Sequence, residues 1–278
     1  MEREPTADAP VETAAALAET LTFLTLRPGD GGDEWIGDAP DWFGDYLFGG
    51  FVIAQSIIAA TRNAPEGRRL HSLHAYFLRP VFAGKPVSYC VRPRREGRSF
   101  TSRRIEASQE GKPAIDMTCS FAVDTDGYVY DLPGRGDAPD RDETKVEGGP
   151  GPWVAHHIGP TPAAPDGTRE STHRMWFRIP HELPHDVHLH TALLGFATDW
   201  TGTGGRPLHL EGDITGMVSL DHAAWFHRPA RADEWLYYDV HSLVNAGGRG
   251  LLRGEMRDEE GRVVASVAQE MRLTPVEV

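Results

Sequence analysis

The sequence predicts an α+β fold made of two copies of one unit, each an antiparallel sheet wrapped around a central helix. Three observations carry this expectation. Phe51 to Ala60 is apolar on nearly every side, as a helix buried on most faces must be. Alternating segments follow it, as in an antiparallel meander with one apolar face. The same order of segments then returns about 150 residues later (260 − 110).

Taken in order, residues 1–12 are polar and contain proline, and are expected to be a disordered tail. Leu17, Leu21 and Leu24 recur at helical spacing and Gly29 to Gly32 stop them, so 13–26 reads as a short amphipathic helix. Trp35 to Tyr46 mixes aromatics with Asp and Gly, as a strand and its turns do. Gly49 and Gly50 open the buried helix. Ser72–Leu78, Val87–Arg92 and Phe100–Gln109 alternate, and the Glu110-Gly111 turn leads into Ala114–Val123. The first unit is placed at 13–123. Residues 124–170 shift to Gly, Pro and Asp with little periodicity and read as a linker holding a small ordered patch around Trp153. The second unit, 171–278, opens with a helix from His190 to about Trp200.

The repeat has residue-level support. HAYFLRP at 74–80 matches AAWFHRP at 223–229, an offset of 149 (223 − 74). Tyr89-Cys90-Val91 matches Tyr238-Asp239-Val240 at the same offset. Ile115, Met117, Cys119, Phe121 and Val123 fall on Ala265, Val267, Gln269, Met271 and Leu273, offset 150 (265 − 115). Gln269 is thus an amide in an apolar row whose twin carries Cys119. Leaving such an amide unpaired costs roughly 1–3 kcal/mol, so it must find partners inside the fold or face a wet cavity. The cavity is the expectation here, which makes the second unit the chemical one and the first a scaffold.

The totals limit the partners. Asp and Glu number 41 against 28 Lys and Arg, and a net charge of −13 gives no general attraction for nucleic acid or anionic membrane surfaces. Only Cys90 and Cys119 are present, and MEREPTADAP lacks the basic-then-apolar order of a secretory signal, so a reduced cytoplasm is expected. No apolar run approaches the ~20 residues of a membrane span, and TPVEV is not a peroxisomal Ser-Lys-Leu address.

The segments FGGFVIAQSI, LHSLHAYFLRP, EGRSFTSRRI, LLGFATD, LDHAAWFHRP and RGLLRGEMRDEEGRVVASVAQ together resemble the acyl-CoA thioesterase II family. The likeness covers about 15–123 and 172–274. It implies a double hot-dog fold with one continuous sheet, and hydrolysis of acyl-CoA to free fatty acid and coenzyme A by an activated water, with no cofactor or metal. It also implies an acyl-CoA substrate and a homodimer or tetramer. The family's Asp falls on Asp199 in LLGFATD, its hydroxyl residue on Ser219 before Leu220-Asp221-His222, and its Gln on Gln269. Ser219 stands where many members carry Thr, which keeps the hydroxyl. Phe51 stands where many carry Gln, so pocket lining is expected to differ there.

Thioester hydrolysis requires a base, a held water and donors for the developing oxyanion. The resemblance makes Asp199 the base, with Ser219 and Gln269 holding the water. Backbone N–H groups near Gly49 or Gly50 are the expected oxyanion donors. Arg79 and Arg228, which end the duplicated strands, are candidates for the coenzyme A phosphates, as is the cluster Arg92, Arg94, Arg95, Arg98, Arg103 and Arg104. The alternative reading is a non-catalytic acyl-CoA binding or sensing protein on the same fold. A hydratase would call for a G-D-x-N-P-x-H-like stretch, which is absent. His181-Glu182-Leu183-Pro184-His185 fits HExxH, but Pro184 interrupts the helix which that zinc motif needs. No Ser is flanked as GxSxG, and Arg135-Gly136-Asp137 reads as a turn.

Overall fold

A computed structural model of the chain describes residues 11–41, 44–62, 64–131, 141, 145–148, 151–158, 172–200 and 214–275. Residues 1–10 of the expected tail and Arg135-Gly136-Asp137 lie outside the described residues. In the first half the order is α1 (Val11–Phe23), β1 (Arg27–Pro28), β2 (Glu34–Gly37), α2 (Gly49–Thr61), β3 (Arg68–Phe77), β4 (Val87–Glu96), β5 (Phe100–Gln109) and β6 (Lys112–Val123). The second half contributes β7 (Lys145–Gly148), β8 (Val154–Ile158), β9 (Thr172–Arg178), α3 (Val187–Thr198), β10 (Ile214–Ser219), β11 (Asp221–Phe226), β12 (Leu236–Ala246), β13 (Arg249–Arg257) and β14 (Val263–Pro275).

Among the described residues these strands form one 14-stranded sheet, ordered β1-β2-β4-β5-β6-β3-β11-β14-β13-β12-β9-β8-β7, with β10 also paired to β14. The expected continuity across the duplication is present. It is made by β3 and β11, antiparallel in the register Tyr76↔Asp221 to Ser72↔Trp225. The sheet curls around α2 and α3, which pack on each other and are buried along nearly their whole length. This is the double hot-dog architecture.

Alternation explains the meanders. Val87, Tyr89 and Val91 on β4, Ile105 and Ala107 on β5, and Ile115, Met117, Cys119 and Phe121 on β6 all face the helices and are buried. Glu110 and Gly111 have φ of 52° and 73°, so the two-residue β5–β6 hairpin has the left-handed backbone of a type I′ turn. The matched Glu260-Gly261 instead lies in a wider loop between β13 and β14.

The stretch 124–170 is more than a linker. β7 and β8 lie within it and extend the sheet through β9. Trp153, the centre of the expected patch, is buried against Phe177, Phe196 and Trp200. Strands of four and five residues are too short for their alternation to stand out among Gly and Pro, which is why the composition reads as linker.

Candidate active site

Gln269 lies on β14 in the row facing the helices and has no solvent exposure. Its amide finds partners within the fold. Nε2 donates to Asp199 Oδ1 at 2.7 Å and to Ser219 Oγ at 2.7 Å, and Oε1 faces His222 Nδ1 at 3.0 Å. The three residues expected from the family likeness are thus brought together, 70 and 50 residues apart in sequence from Gln269.

Ser219 and His222 both reach this amide because the strand is irregular between them. Ser219 pairs with Met271 and Ala223 with Ala268, so four steps on one strand oppose three on β14 (223 − 219 against 271 − 268). The extra residue is a bulge, and it brings to one face two side chains that strict alternation would put on opposite faces. Asp221 stitches the bulge. Its carboxylate accepts the Glu270 N–H at 3.0 Å, while the Leu220 N–H donates to the Glu270 carbonyl at 2.9 Å.

Asp199 caps the C-terminus of α3 and is buried, 3% exposed. Burial lifts its carboxyl to about 7, and the bonds from Gln269 and from the Gly50 N–H offset only part of the rise. The negative end of the α3 dipole acts in the same direction as burial, and the positive end of α2 against it. Gly49 and Gly50 begin α2 directly against this carboxylate. A Cβ on Gly49 would sit 2.8 Å from Asp199 Oδ2 and 2.8 Å from the Phe77 ring, and one on Gly50 would collide with the Phe196 carbonyl oxygen. Only glycine lets the start of α2, from the first unit, approach the end of α3, from the second.

Beyond the expected trio lie three residues that sequence reasoning did not single out. Thr198 Oγ1 contacts His222 Nε2 at 2.9 Å and the Gly195 carbonyl at 2.6 Å. Tyr238 Oη donates to the Thr198 carbonyl at 2.9 Å. Burial drives the His222 imidazole down to about 4, so the ring is neutral, and drives the Tyr238 phenol far above its ordinary value. The signal for them was the repeat. At offset 149 (222 − 73) His222 falls on Leu73, and Leu73 pairs with Cys119 across β3 and β6. An apolar pair in one half is a polar pair in the other. Burial pushes the Cys119 thiol up to about 12, so it is an inert thiol.

Arg79 and Arg228 follow the ends of β3 and β11, which are antiparallel, so they sit at opposite ends of that pair, roughly 30 Å apart at 3.3 Å per residue. One pocket mouth cannot use both. Arg79 is exposed at the Ser219 end and donates to the Pro113 carbonyl at 2.8 Å. Arg228 makes a two-pronged bridge to Asp131 at 2.9 and 3.0 Å. Of the wider cluster, Arg104 is paired with Asp116 and the buried Arg103 with Glu96. The His181–His185 stretch is not helical, and Asp186 caps α3 just after it. Among the described residues, no group of three His, Cys, Asp or Glu is placed to hold a metal ion.

A carboxylate poised near neutrality and a hydroxyl, held beside each other by one amide, can hold and deprotonate a water. Residues 39–122 match the family model described as the acyl-CoA thioesterase N-terminal domain, and 131–273 the model described as its C-terminal domain. The chain is 31% identical over 257 residues to acyl-CoA thioesterase 2 of Haemophilus influenzae, covering 84% of this chain and 90% of that protein. It is 29% identical to human acyl-coenzyme A thioesterase 8, covering 81% of this chain and 79% of that one. Among solved structures it superposes on acyl-CoA thioesterase II TesB2 of Mycobacterium marinum with a TM-score of 0.80 at 32% identity, over 92% of this chain and 97% of that one.

Proposed function

This chain belongs to the acyl-CoA thioesterase family and hydrolyses acyl-CoA thioesters, and we propose that it does so through a water held and activated by Asp199, Ser219 and Gln269. The observation that carries the assignment is the Gln269 amide, 2.7 Å from both the Asp199 carboxylate and the Ser219 hydroxyl. Asp199 takes a proton as the water attacks the thioester carbonyl carbon. The carbon–sulfur bond then breaks, and the proton passes to the departing coenzyme A sulfur, so acyl-CoA and water give acid and free thiol without a covalent enzyme intermediate. The first turn of α2 is assigned to the oxyanion: with the Gly50 N–H on Asp199, the Gly49 N–H is the donor for the carbonyl oxygen.

Thiol release from a panel of acyl-CoAs tests the activity, and binding without release would overturn it in favour of a sensor. Because Asp199 must be ionised to act, kcat/KM should rise about tenfold per pH unit below pH 7 and level off above it. A flat profile from pH 5.5 to 8.5 would remove Asp199 as the base.

For the coenzyme A phosphates we assign Arg79, supported by its place at the Ser219 end of β3. Arg79→Ala should raise KM for acyl-CoA about 3- to 10-fold at low salt and less at 0.5 M, with kcat unchanged. Equal KM values at both salt concentrations would exclude a phosphate contact. A dimer or tetramer is supported by the edges at β1 and β7, which end the sheet among the described residues, and light scattering on the purified chain tests it. No helix among the described residues is long and apolar enough to cross a membrane. A cytoplasmic setting without nucleic-acid or membrane partners is supported by the free Cys90 and Cys119 and the net charge of −13.

A further inference from the structure

We propose that His222, anchored by Thr198, is a positioning residue that fixes which way round the Gln269 amide lies and so keeps the donor side of that amide on Asp199 and Ser219. The inference rests on the assignment of Asp199, Ser219 and Gln269 to the reaction.

Donors and acceptors alternate along this network. Gln269 Nε2 is 2.7 Å from two oxygens, which requires the NH2 group there. Oε1 then faces His222 Nδ1 at 3.0 Å, and two acceptors cannot face each other, so Nδ1 carries the ring proton. A neutral ring protonated at Nδ1 leaves Nε2 as an acceptor, and the one Thr198 hydroxyl proton is shared between it, at 2.9 Å, and the Gly195 carbonyl, at 2.6 Å, as a three-centre bond. The relay starts at the Thr198 hydroxyl and passes through His222 and Gln269 to Asp199, its order set by the two oxygens that require the Gln269 NH2. Tyr238 steadies its origin by bonding the Thr198 carbonyl. In the first half the equivalent positions are Leu73 and Cys119, which have no amide to orient.

The consequence is specific. A protonated Asp199 would be stabilised by a turned amide whose oxygen accepts its proton, but the turned amide would point NH2 at the Nδ1–H of His222. His222 therefore disfavours the one arrangement that suits protonated Asp199. The groups facing that carboxylate are the Gln269 amide from β14, the Gly50 N–H from α2 and the neutral Tyr238 phenol from β12, with the Ser219 hydroxyl of β10 on the same Gln269 NH2. None of them replaces His222 in this role.

The test is the pH profile of kcat/KM for His222→Leu, His222→Asn, Thr198→Val and Gln269→Ala. His222→Leu should lose about fivefold at pH 7 and recover toward wild type at pH 9, because its acid limb moves up by about one pH unit. His222→Asn places an amide NH2 where Nδ1–H stood and should return the limb to within about 0.3 of wild type. Thr198→Val removes the donor that favours the Nδ1–H form and should move the limb in the same direction as Leu, by less. If circular dichroism shows that His222→Leu does not fold, the Thr198→Val limb decides. A drop at every pH with an unmoved limb, or an Asn variant no better than Leu, overturns the proposal. Gln269→Ala separates the two levels. If it stays within twofold of wild type, the assignment of the three residues falls; if it loses activity while the His222 limb is unmoved, only the positioning role falls.

Discussion

Asp199→Asn should lower kcat for a good acyl-CoA by about 10³-fold while leaving the protein more stable, not less, at alkaline pH. The loss follows from removing the general base, a contribution of about 10² to 10⁴. Asn keeps the shape, and its carbonyl oxygen can still accept the bonds from Gln269 and Gly50. The gain follows from burial. Asp199 is held near 7 in the fold against an ordinary value of about 3.9 in the unfolded chain. A carboxyl raised on folding contributes its full stability below about pH 4 and loses it as pH rises through 7. At 1.36 kcal/mol per pKa unit the cost of holding it ionised at pH 8 is at most about 4 kcal/mol, which the neutral amide avoids. Thermal melts should therefore converge near pH 4 and separate by several degrees at pH 8, with the variant higher. A variant that melts no higher than wild type at pH 8 would mean that burial of the charge is not what lifts the carboxyl.

Gly50→Ala should be the most damaging glycine-to-alanine change among the described residues. The new Cβ would collide with the Phe196 carbonyl oxygen and the Phe48 ring and lie 3.0 Å from the Asp199 Cβ. The backbone oxygen cannot rotate away, so the helices must separate, at a cost of about 3 kcal/mol or more. The same separation lifts the Gly50 N–H from Asp199. Activity should fall at least 100-fold, and the urea midpoint should drop with an unchanged slope. By contrast, a methyl at Gly32 meets nothing within 4 Å. A Gly50→Ala protein with wild-type kcat would show that the two helix ends need not touch.

Large features were legible from the sequence for identifiable reasons. Phe51–Ala60 could only be a buried helix, and the repeat at 149 to 150 residues exposed both halves (223 − 74, 265 − 115). Gln269 was visible because an amide breaks an apolar row. His222 was not, since a histidine beside an aspartate on a half-buried strand has no spacing that marks it. Its role depends on a bulge, and a bulge is a matter of register between strands, which periodicity within one strand does not report. Arg79 and Arg228 looked equivalent because the repeat makes them so in sequence, whereas the antiparallel join of β3 and β11 sends them to opposite ends. β7 and β8 were hidden by brevity.

The abutment of Gly50 on Asp199 bears on how such a chain can evolve. The glycines belong to the first copy and the carboxylate to the second, so neither copy holds a complete set of parts. Separately made halves would each carry a fragment of one centre and would work only when reassembled, since Leu73 and Cys119 occupy the equivalent site in the first half. The dependence is mutual: the first copy has no polar centre of its own, and the second lacks the glycines that bring a backbone N–H to Asp199.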